Sequence, residues 1–408
     1  MASVPQKSIL LLGGSKQQVI AIETARRLGY RTVLCDYLPD NPGQYAADVF
    51  YQESTTDREK MLEIARSEGV SGVLAYSSDP AAPTAAYVAE QLGLPTNPLA
   101  AVETLSVKHL FRKHLAEHGF PCPKSMPVRE DLLVDDLLAI AEGMRKPVVL
   151  KPTDSSGSKG ISVIDDPNAD NMGVALARAR KFTRNGVLVL EEYIRSSFPR
   201  VIGGDIFVVR GEVKFWGLMS CLRDKGLGGL VPVGERNPSG LSDTETAAVK
   251  EQVQALVTSL GINFGELNVE VIVGEGGVPY FLELGARAGG NMIPVQLSDI
   301  SGIDLVEANV RYAMGDESMD VAFGGNDKAV CTYVLHAGAE GVFGGVKLSP
   351  EIEPHVYRAV MYLEPGAEVS RFDGANKALG ILFLKFDSVE QMEHMMGDPC
   401  RHFAVDID

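Results

Sequence analysis

Short apolar runs alternate with helical patterns at the start of the chain. Ser8 to Leu12 reads as a strand, Gly13-Gly14-Ser15 as a turn, and Gln18 to Leu28 as a helix stopped by Gly29. Thr32 to Cys35 is the next strand, closed by Asp36. Met61 to Ser67 (helix), Gly72 to Tyr76 (strand) and Thr84 to Leu92 (helix) repeat the unit, and Pro95-Thr96-Asn97-Pro98 ends it. Strands alternating with helices of this length predict a parallel sheet with right-handed crossovers.

Val107, Leu110, Phe111 and Leu115 have helical spacing, and Gly119-Phe120-Pro121 stops that helix. From Pro147 the period changes towards two. Strands are predicted at Val148 to Lys151, Gly160 to Ile164, Val187 to Glu191, Asp205 to Val209 and Glu212 to Met219. A helix from about Thr244 to Leu260 separates these from the pair Glu266 to Val273 and Val278 to Leu284. The tail adds strands at Val330 to Leu335 and Val356 to Leu363, then the strand–helix pair Gly380 to Phe386 and Val389 to Met396. No internal repeat is visible. The expected class is α/β followed by α+β.

Length and charge narrow this further. At roughly 150 residues per domain, 408 residues make two to three domains. No stretch approaches the roughly 18 apolar residues of a membrane span. The run Ile9 to Leu12 is too short for a signal-peptide core, which predicts a cytoplasmic protein. The net charge of −16, with no run of Lys or Arg, disfavours nucleic acid as a partner. Five scattered cysteines without a CxxC pair fit a reducing compartment, not a disulfide framework or a cysteine zinc site.

Candidate chemistry concentrates between Asn263 and Asn291. Alternate residues of a strand share a face, so Glu266, Asn268 and Glu270 point one way and Leu267, Val269 and Val271 into a core. Gly274-Glu275-Gly276-Gly277 makes a tight connection, and the return strand puts Phe281, Glu283 and Gly285 on one face. An antiparallel pair thus brings Glu270 and Glu283 together, with Arg287 just past the strand end. Two carboxylates completed by phosphate oxygens suit Mg²⁺. Taken alone, the pattern also fits solvated charges on an open sheet face.

The strand Val148 to Lys151 runs into Pro152-Thr153-Asp154-Ser155-Ser156-Gly157-Ser158-Lys159-Gly160. Small residues let backbone N–H groups approach phosphate oxygens, and Lys151 and Lys159 add positive charge. The loop is not a Walker A sequence, and an ordinary hairpin is the alternative. Leu188 to Glu191, followed by Glu192-Tyr193-Ile194, ends a buried strand with two carboxylates and an aromatic. Such an end can offer hydrogen bonds to an adenine ring.

Two further patterns carry less. Gly13-Gly14-Ser15-Lys16-Gln17-Gln18 lacks the GxGxxG spacing of a dinucleotide site. His114-Leu115-Ala116-Glu117-His118 has the spacing of a zinc-protease motif, but Gly119 and Pro121 end the helix and no third ligand is identifiable. Two histidines at the rim of a core are expected there.

In this order the motifs resemble the ATP-grasp superfamily, and nearly the whole chain fits. The resemblance implies a Rossmann-like pre-ATP-grasp domain (1–105), a two-lobed ATP-grasp domain (106–318) with a mobile lid at about 145–210, and a small C-terminal α+β domain (319–408). It implies ATP contacts at Lys108, Lys151 and the lid loop Ser155, Ser156, Gly157, Ser158, Lys159 and Gly160. Glu191, Glu192, Tyr193 and Ile194 correspond to the adenine hinge and Asp205 to the ribose acid. Glu270 and Glu283 match carboxylates that bind Mg²⁺ (or Mn²⁺), and Arg287 matches the arginine that holds the substrate or acyl-phosphate anion. Many members carry Asn where this chain has Gly285, so Asn268 and Asn291 are candidates to compensate. Arg223 and Lys225 are candidates to face the substrate.

The implied activity is ATP-dependent ligation of a small-molecule carboxylate to an amine through an acyl phosphate, releasing ADP and phosphate. The carboxylate is expected to be an amino acid or a sugar acid, and the assembly a homodimer. Two other readings stay open: a bicarbonate-using enzyme of the carboxylase or carbamoyl-phosphate type, and a nucleotide-binding regulator without catalysis. The loop Ser155 to Gly160 lacks the long glycine run of biotin carboxylase lids. The intact Lys108, Lys151, Glu270, Glu283 and Arg287 speak against the regulator.

Overall fold

The computed structural model describes residues 6–155, 159–195, 201–223, 231–374 and 377–408. Ser8–Leu12 (β1) is buried along its whole length, as a strand covered by helices on both faces must be. With Arg31–Asp36 (β2), Val49–Gln52 (β3) and Gly72–Leu74 (β4) it forms the expected parallel sheet, in the order β3-β2-β1-β4. The helices Val19–Arg27 and Arg58–Ser67 make the helical crossovers, and Ala82–Leu92 follows β4. Asp57 caps the second by accepting from Lys60 N–H at 3.1 Å. The Gly13-Gly14 turn is tied down by Asp36, whose carboxylate accepts from Gly14 N–H at 2.7 Å.

Ser125–Arg129 (β5), Val148–Pro152 (β6), Ser162–Ile164 (β7) and Val187–Glu192 (β8) form an antiparallel sheet in the order β5-β8-β6-β7. Val148, Leu150, Leu188 and Leu190 pack against Leu137, Met172 and Leu176. Those three belong to the helices Val134–Glu142 and Ala169–Arg180, which the pattern reading does not assign. By alternation, Val149, Lys151 and Glu191 face the opposite way, onto a large cavity.

The remaining strands are Val201–Val209 (β9), Glu212–Arg223 (β10), Pro232–Asn237 (β11), Phe264–Val273 (β12), Pro279–Gly285 (β13), Val330–Leu335 (β14), Gly341–Leu348 (β15), Val356–Met361 (β16), Glu368–Val369 (β17), Gly380–Lys385 (β18) and Phe403–Ile407 (β19). Eight of them form one antiparallel sheet, in the order β13-β12-β9-β10-β11-β14-β18-β16, so strands of the tail continue the sheet that carries Glu270 and Glu283. The other three make a small sheet, β17-β15-β19. Val249, Val253 and Leu256 of the helix Asp243–Leu260 cover one face of the large sheet. Leu297 and Leu305, from Ile293–Ser301 and Leu305–Ala313, meet Phe207, Phe215 and Met219 on the other.

Two local departures shape the site. Strand β9 starts at Val201, four residues before the expected Asp205, because Gly203 and Gly204 are part of it. Gly204 has φ +114°, and a Cβ there would stand 1.9 Å from the Gly217 carbonyl oxygen, so the close approach of β9 to β10 requires glycine. Strand β13 is bulged: Glu270 pairs with Glu283, but Val271 pairs with Phe281, which leaves Leu282 as the extra residue. The expectation that Phe281 shares a face with Glu283 is therefore corrected. Phe281 is buried in the core beside Val271, while Leu282 and Glu283 both line the cavity.

Candidate active site

Between β6–β8 and the large sheet lies a cavity of about 910 Å³, within the range of small-molecule sites. Lys108, Lys151, Ser155 and Lys159 line it, with Glu191, Glu192, Tyr193 and Ile194 from the end of β8 and beyond. Arg223, Asn268, Glu270, Glu283, Arg287 and Asn291 complete the set that the sequence reading and the fold place together. Ser156, Gly157, Ser158 and Lys225 lie outside the described residues.

On the β6–β8 wall, Lys151 Nζ donates to Glu191 Oε1, and Arg112 Nε donates to Glu191 Oε2 at 3.0 Å. Arg112 also donates to the Leu282 carbonyl at 3.1 Å, and only 1 % of it is exposed. Burial works against the Glu191 anion, but Arg112 and Lys151 together hold its carboxyl at about 2. Burial pushes the Lys151 ammonium down to about 8 against the pull of Glu191. Both are ionised at neutral pH. Two cations share one carboxylate there, which leaves net positive charge for an anionic ligand.

On the facing wall, Glu270 and Glu283 stand in register. Lys108 Nζ lies 3.9 Å from Glu283 and donates to the Ser155 carbonyl at 2.5 Å, while Arg223 lies 3.6 Å from Glu270. Burial raises the Glu270 carboxyl; Arg223 opposes the rise and Glu283 adds to it. These carboxylates are half-buried and cation-flanked, not solvated on an open face. Two carboxylates brought side by side by the strand register offer oxygen donors that fit a hard divalent cation.

Beyond β13, Arg287 is gripped side-on by Asp79, with Nε and Nη2 donating to the two carboxylate oxygens at 2.6 and 2.8 Å. Burial disfavours the Arg287 cation, yet Asp79 holds its pKa above the ordinary value. Asp79 belongs to the loop after β4, so the first sheet supplies part of this wall. Gln17 and Ser77 reach the same region: Gln17 accepts from Asn291 N–H at 3.0 Å, and the Ser77 hydroxyl donates to the Gly289 carbonyl at 2.8 Å.

Two expected ligand residues are not on the cavity. Asp205 is fully buried; its oxygens accept from Asn268 Nδ2 at 2.9 Å and Gly289 N–H at 2.8 Å, and burial raises its carboxyl. It braces the backbone behind Arg287 and does not present itself to a ribose. Gly160, at φ +77°, turns against Pro152. Asn268 borders the cavity, but its amide nitrogen is committed to Asp205 and the Gly204 carbonyl. His114 pairs with the Ser259 hydroxyl at 2.9 Å and stacks on His118, and neither lines the cavity.

Sequence reasoning missed Arg112, Asp79 and Glu235. The available signal for Arg112 was its place beside Phe111 on a helix whose apolar face is buried. Glu235, on β11, is only 5 % exposed and lines the cavity; burial and then the nearby Glu270 push its carboxyl up to about 8.

The family model of the carbamoyl-phosphate synthase L chain ATP-binding domain matches residues 107–320. A formate-dependent phosphoribosylglycinamide formyltransferase from Synechococcus sp. (strain WH7803) is 30% identical over 195 residues, covering 48% of this chain and 49% of that protein. The chain thus spans about half the length of that relative. An L-amino acid ligase from Bacillus licheniformis has the same fold, with a TM-score of 0.82 and 20% identity over all of both chains. The biotin carboxylase domain of the Hydrogenobacter thermophilus 2-oxoglutarate carboxylase, a dimer bound to MgADP, ADP and bicarbonate, follows at 0.73 and 18%, over 99% of this chain and 92% of that one.

Proposed function

The chain belongs to the family of the carbamoyl-phosphate synthase L chain ATP-binding domain, an ATP-grasp family, and from that footing we propose that it is an ATP-dependent carboxylate–amine ligase. One observation carries the reading: the paired Glu270 and Glu283 face Lys151 and Glu191 across a single cavity that Arg287 also lines.

A free carboxylate resists attack because oxide is a poor leaving group. In this reading a carboxylate oxygen takes the γ-phosphoryl of ATP, giving an acyl phosphate and ADP. An amine then attacks the carbonyl carbon, phosphate departs, and the amide nitrogen loses its proton. The chemistry needs positioning and charge neutralisation, not a protein nucleophile. Lys108 and Lys151 supply positive charge to the phosphates, and the β8 end from Glu191 to Ile194 takes the adenine. Lys159 and the loop from Ser155 to Gly160 belong to the same ATP site. Arg287 holds the carboxylate and then the developing oxyanion. Glu270 and Glu283 would hold Mg²⁺ or Mn²⁺. When bound, that ion would shield phosphate charge.

The reading keeps 1–105, 106–318 and 319–408 as pre-ATP-grasp, ATP-grasp and C-terminal units. A lid at about 145–210 would close over the nucleotide and keep water from the acyl phosphate. The separate sheet β5-β8-β6-β7 supports it. A homodimer is part of the reading, supported by the dimer of the biotin carboxylase domain.

A hydroxamate assay tests it: Mg-ATP, hydroxylamine, and pools of amino acids, sugar acids and other small carboxylates. Hydroxamate in step with ADP and phosphate, lost in Glu283→Gln and Arg287→Ala, is the expected result. AMP and pyrophosphate would overturn the acyl-phosphate route. Turnover that depends on bicarbonate alone would replace the carboxylate, and ATP binding without turnover in any pool would replace the enzyme with a regulator.

A further inference from the structure

Strand β11 carries a side chain that the reaction above does not use. Glu235 lines the cavity; the Cys221 thiol hydrogen-bonds its carboxyl, but its Oε2 has no partner among the described residues. Its backbone is held on both sides. Its N–H donates to the Thr332 hydroxyl at 3.1 Å, and its carbonyl accepts from Gln296 Nε2 at 2.9 Å. The carboxyl lies over Gly203, where a Cβ would come within 3.0 Å of Oε2 and 3.1 Å of Oε1. A glycine in β9 therefore leaves the space that Glu235 occupies, close to Glu270 and Arg223.

A buried acceptor without a donor costs about 1–3 kcal/mol, so a rigid strand that keeps one facing a cavity is suited to a ligand that brings the donor. The missing group must carry N–H and, to favour the ionised carboxyl, positive charge. A primary ammonium does both; a hydroxyl supplies one hydrogen bond and no charge. The neighbouring Arg236 also borders the cavity; its Nη2 donates to the Ser220 hydroxyl at 3.4 Å, while its Nε lacks a partner among the described residues. An acid and a base that each keep one unpartnered atom and both border the same cavity match a zwitterion. We propose that Glu235 is a specificity residue that receives the amino group of a free amino acid, the incoming amine of the reaction. The inference rests on the ligase reading only in calling that amino acid a substrate.

The test is isothermal titration of the protein saturated with Mg²⁺ and a non-hydrolysable ATP analogue. Each of the common amino acids is compared with its deaminated and N-acetylated counterparts. At least one amino acid is expected to bind tenfold or more tighter than both counterparts. Glu235→Gln should reduce that preference below twofold without changing affinity for the ATP analogue, which reports an intact fold. Glu235→Asp should keep part of it, and Gly203→Ala, which crowds the carboxyl, should weaken it. A preference that survives Glu235→Gln overturns the assignment, and so does the absence of any preference in the wild type. The ligase reading fails elsewhere, in the hydroxamate assay. Hydroxamate without amino-group preference removes Glu235 alone, and preference without turnover removes the ligase and leaves the binding role standing.

Discussion

Glu191 shows what a single side chain does when two cations enclose it. Arg112 and Lys151 meet its two oxygens from different elements, and all three are buried. Removing Arg112 leaves Glu191 paired with Lys151, but takes the donor from Glu191 Oε2 and from the Leu282 carbonyl. Arg112→Met is therefore expected to cost about 1–3 kcal/mol in denaturant unfolding and to lower nucleotide affinity. The pH dependence has a definite sign. The folded carboxyl titrates at about 2, below its ordinary 4.5, so its stabilisation is complete above 4.5 and is lost as pH falls towards 2. Melts between pH 5 and pH 2 should show a flatter acid limb in Glu191→Gln. Glu235 has the opposite sign. Its folded value near 8 lies above the ordinary one, so ionising it destabilises the protein increasingly as pH rises from 4.5 to about 8. In the ligand-free protein, Glu235→Gln should melt with the wild type at pH 4 and above it at pH 9, by about 1 kcal/mol or more.

At the scale of elements, the bulge in β13 decides which side chains reach the cavity. A regular strand would put Phe281 and Glu283 on one face, and either the core would lose an aromatic ring or the cavity a carboxylate. The extra residue, Leu282, lets both be satisfied. Deleting Leu282 should therefore break one of the two. Either the protein loses about 3–5 kcal/mol, as for removal of a buried Phe, or it keeps its stability and loses Mg²⁺-dependent nucleotide binding. Unfolding curves and titration of the same sample distinguish these from an unchanged protein, which would show that the bulge is dispensable. The glycines of β9 act at the same scale, since Gly204 allows close approach to β10 and Gly203 leaves room for Glu235.

Across the whole molecule, the Asp79–Arg287 pair ties the parallel sheet to the cavity wall, its partners 208 positions apart in sequence. Asp79→Asn should leave Arg287 buried without its anion and destabilise the ligand-free protein by about 3 kcal/mol. A carboxylate that binds Arg287 should restore part of that loss, read as a larger ligand-induced rise in melting temperature than in the wild type. Equal rises would show that the two anions do not share the guanidinium.

Much of this architecture was legible in order along the chain. Alternation identified Glu270 and Glu283 as neighbours, the apolar run before Lys151 placed that lysine at a strand end, and the strand–helix repeat announced a parallel sheet. These are local properties, because periodicity and turn residues act over a few neighbours. Arg112 was not legible as an ion-pair partner, since its carboxylate lies 79 residues away on another sheet. Asp79 and Glu235 were silent for the same reason, and Asp205 looked available because nothing nearby in sequence reveals that Asn268 and Gly289 enclose it. Phe281 was assigned to the wrong face because a bulge depends on how two strands pair, not on the composition of one. Local patterning specified the elements and the residue types that could do chemistry. Packing of distant segments set which charges lost their water, which found partners, and which were left open to a ligand.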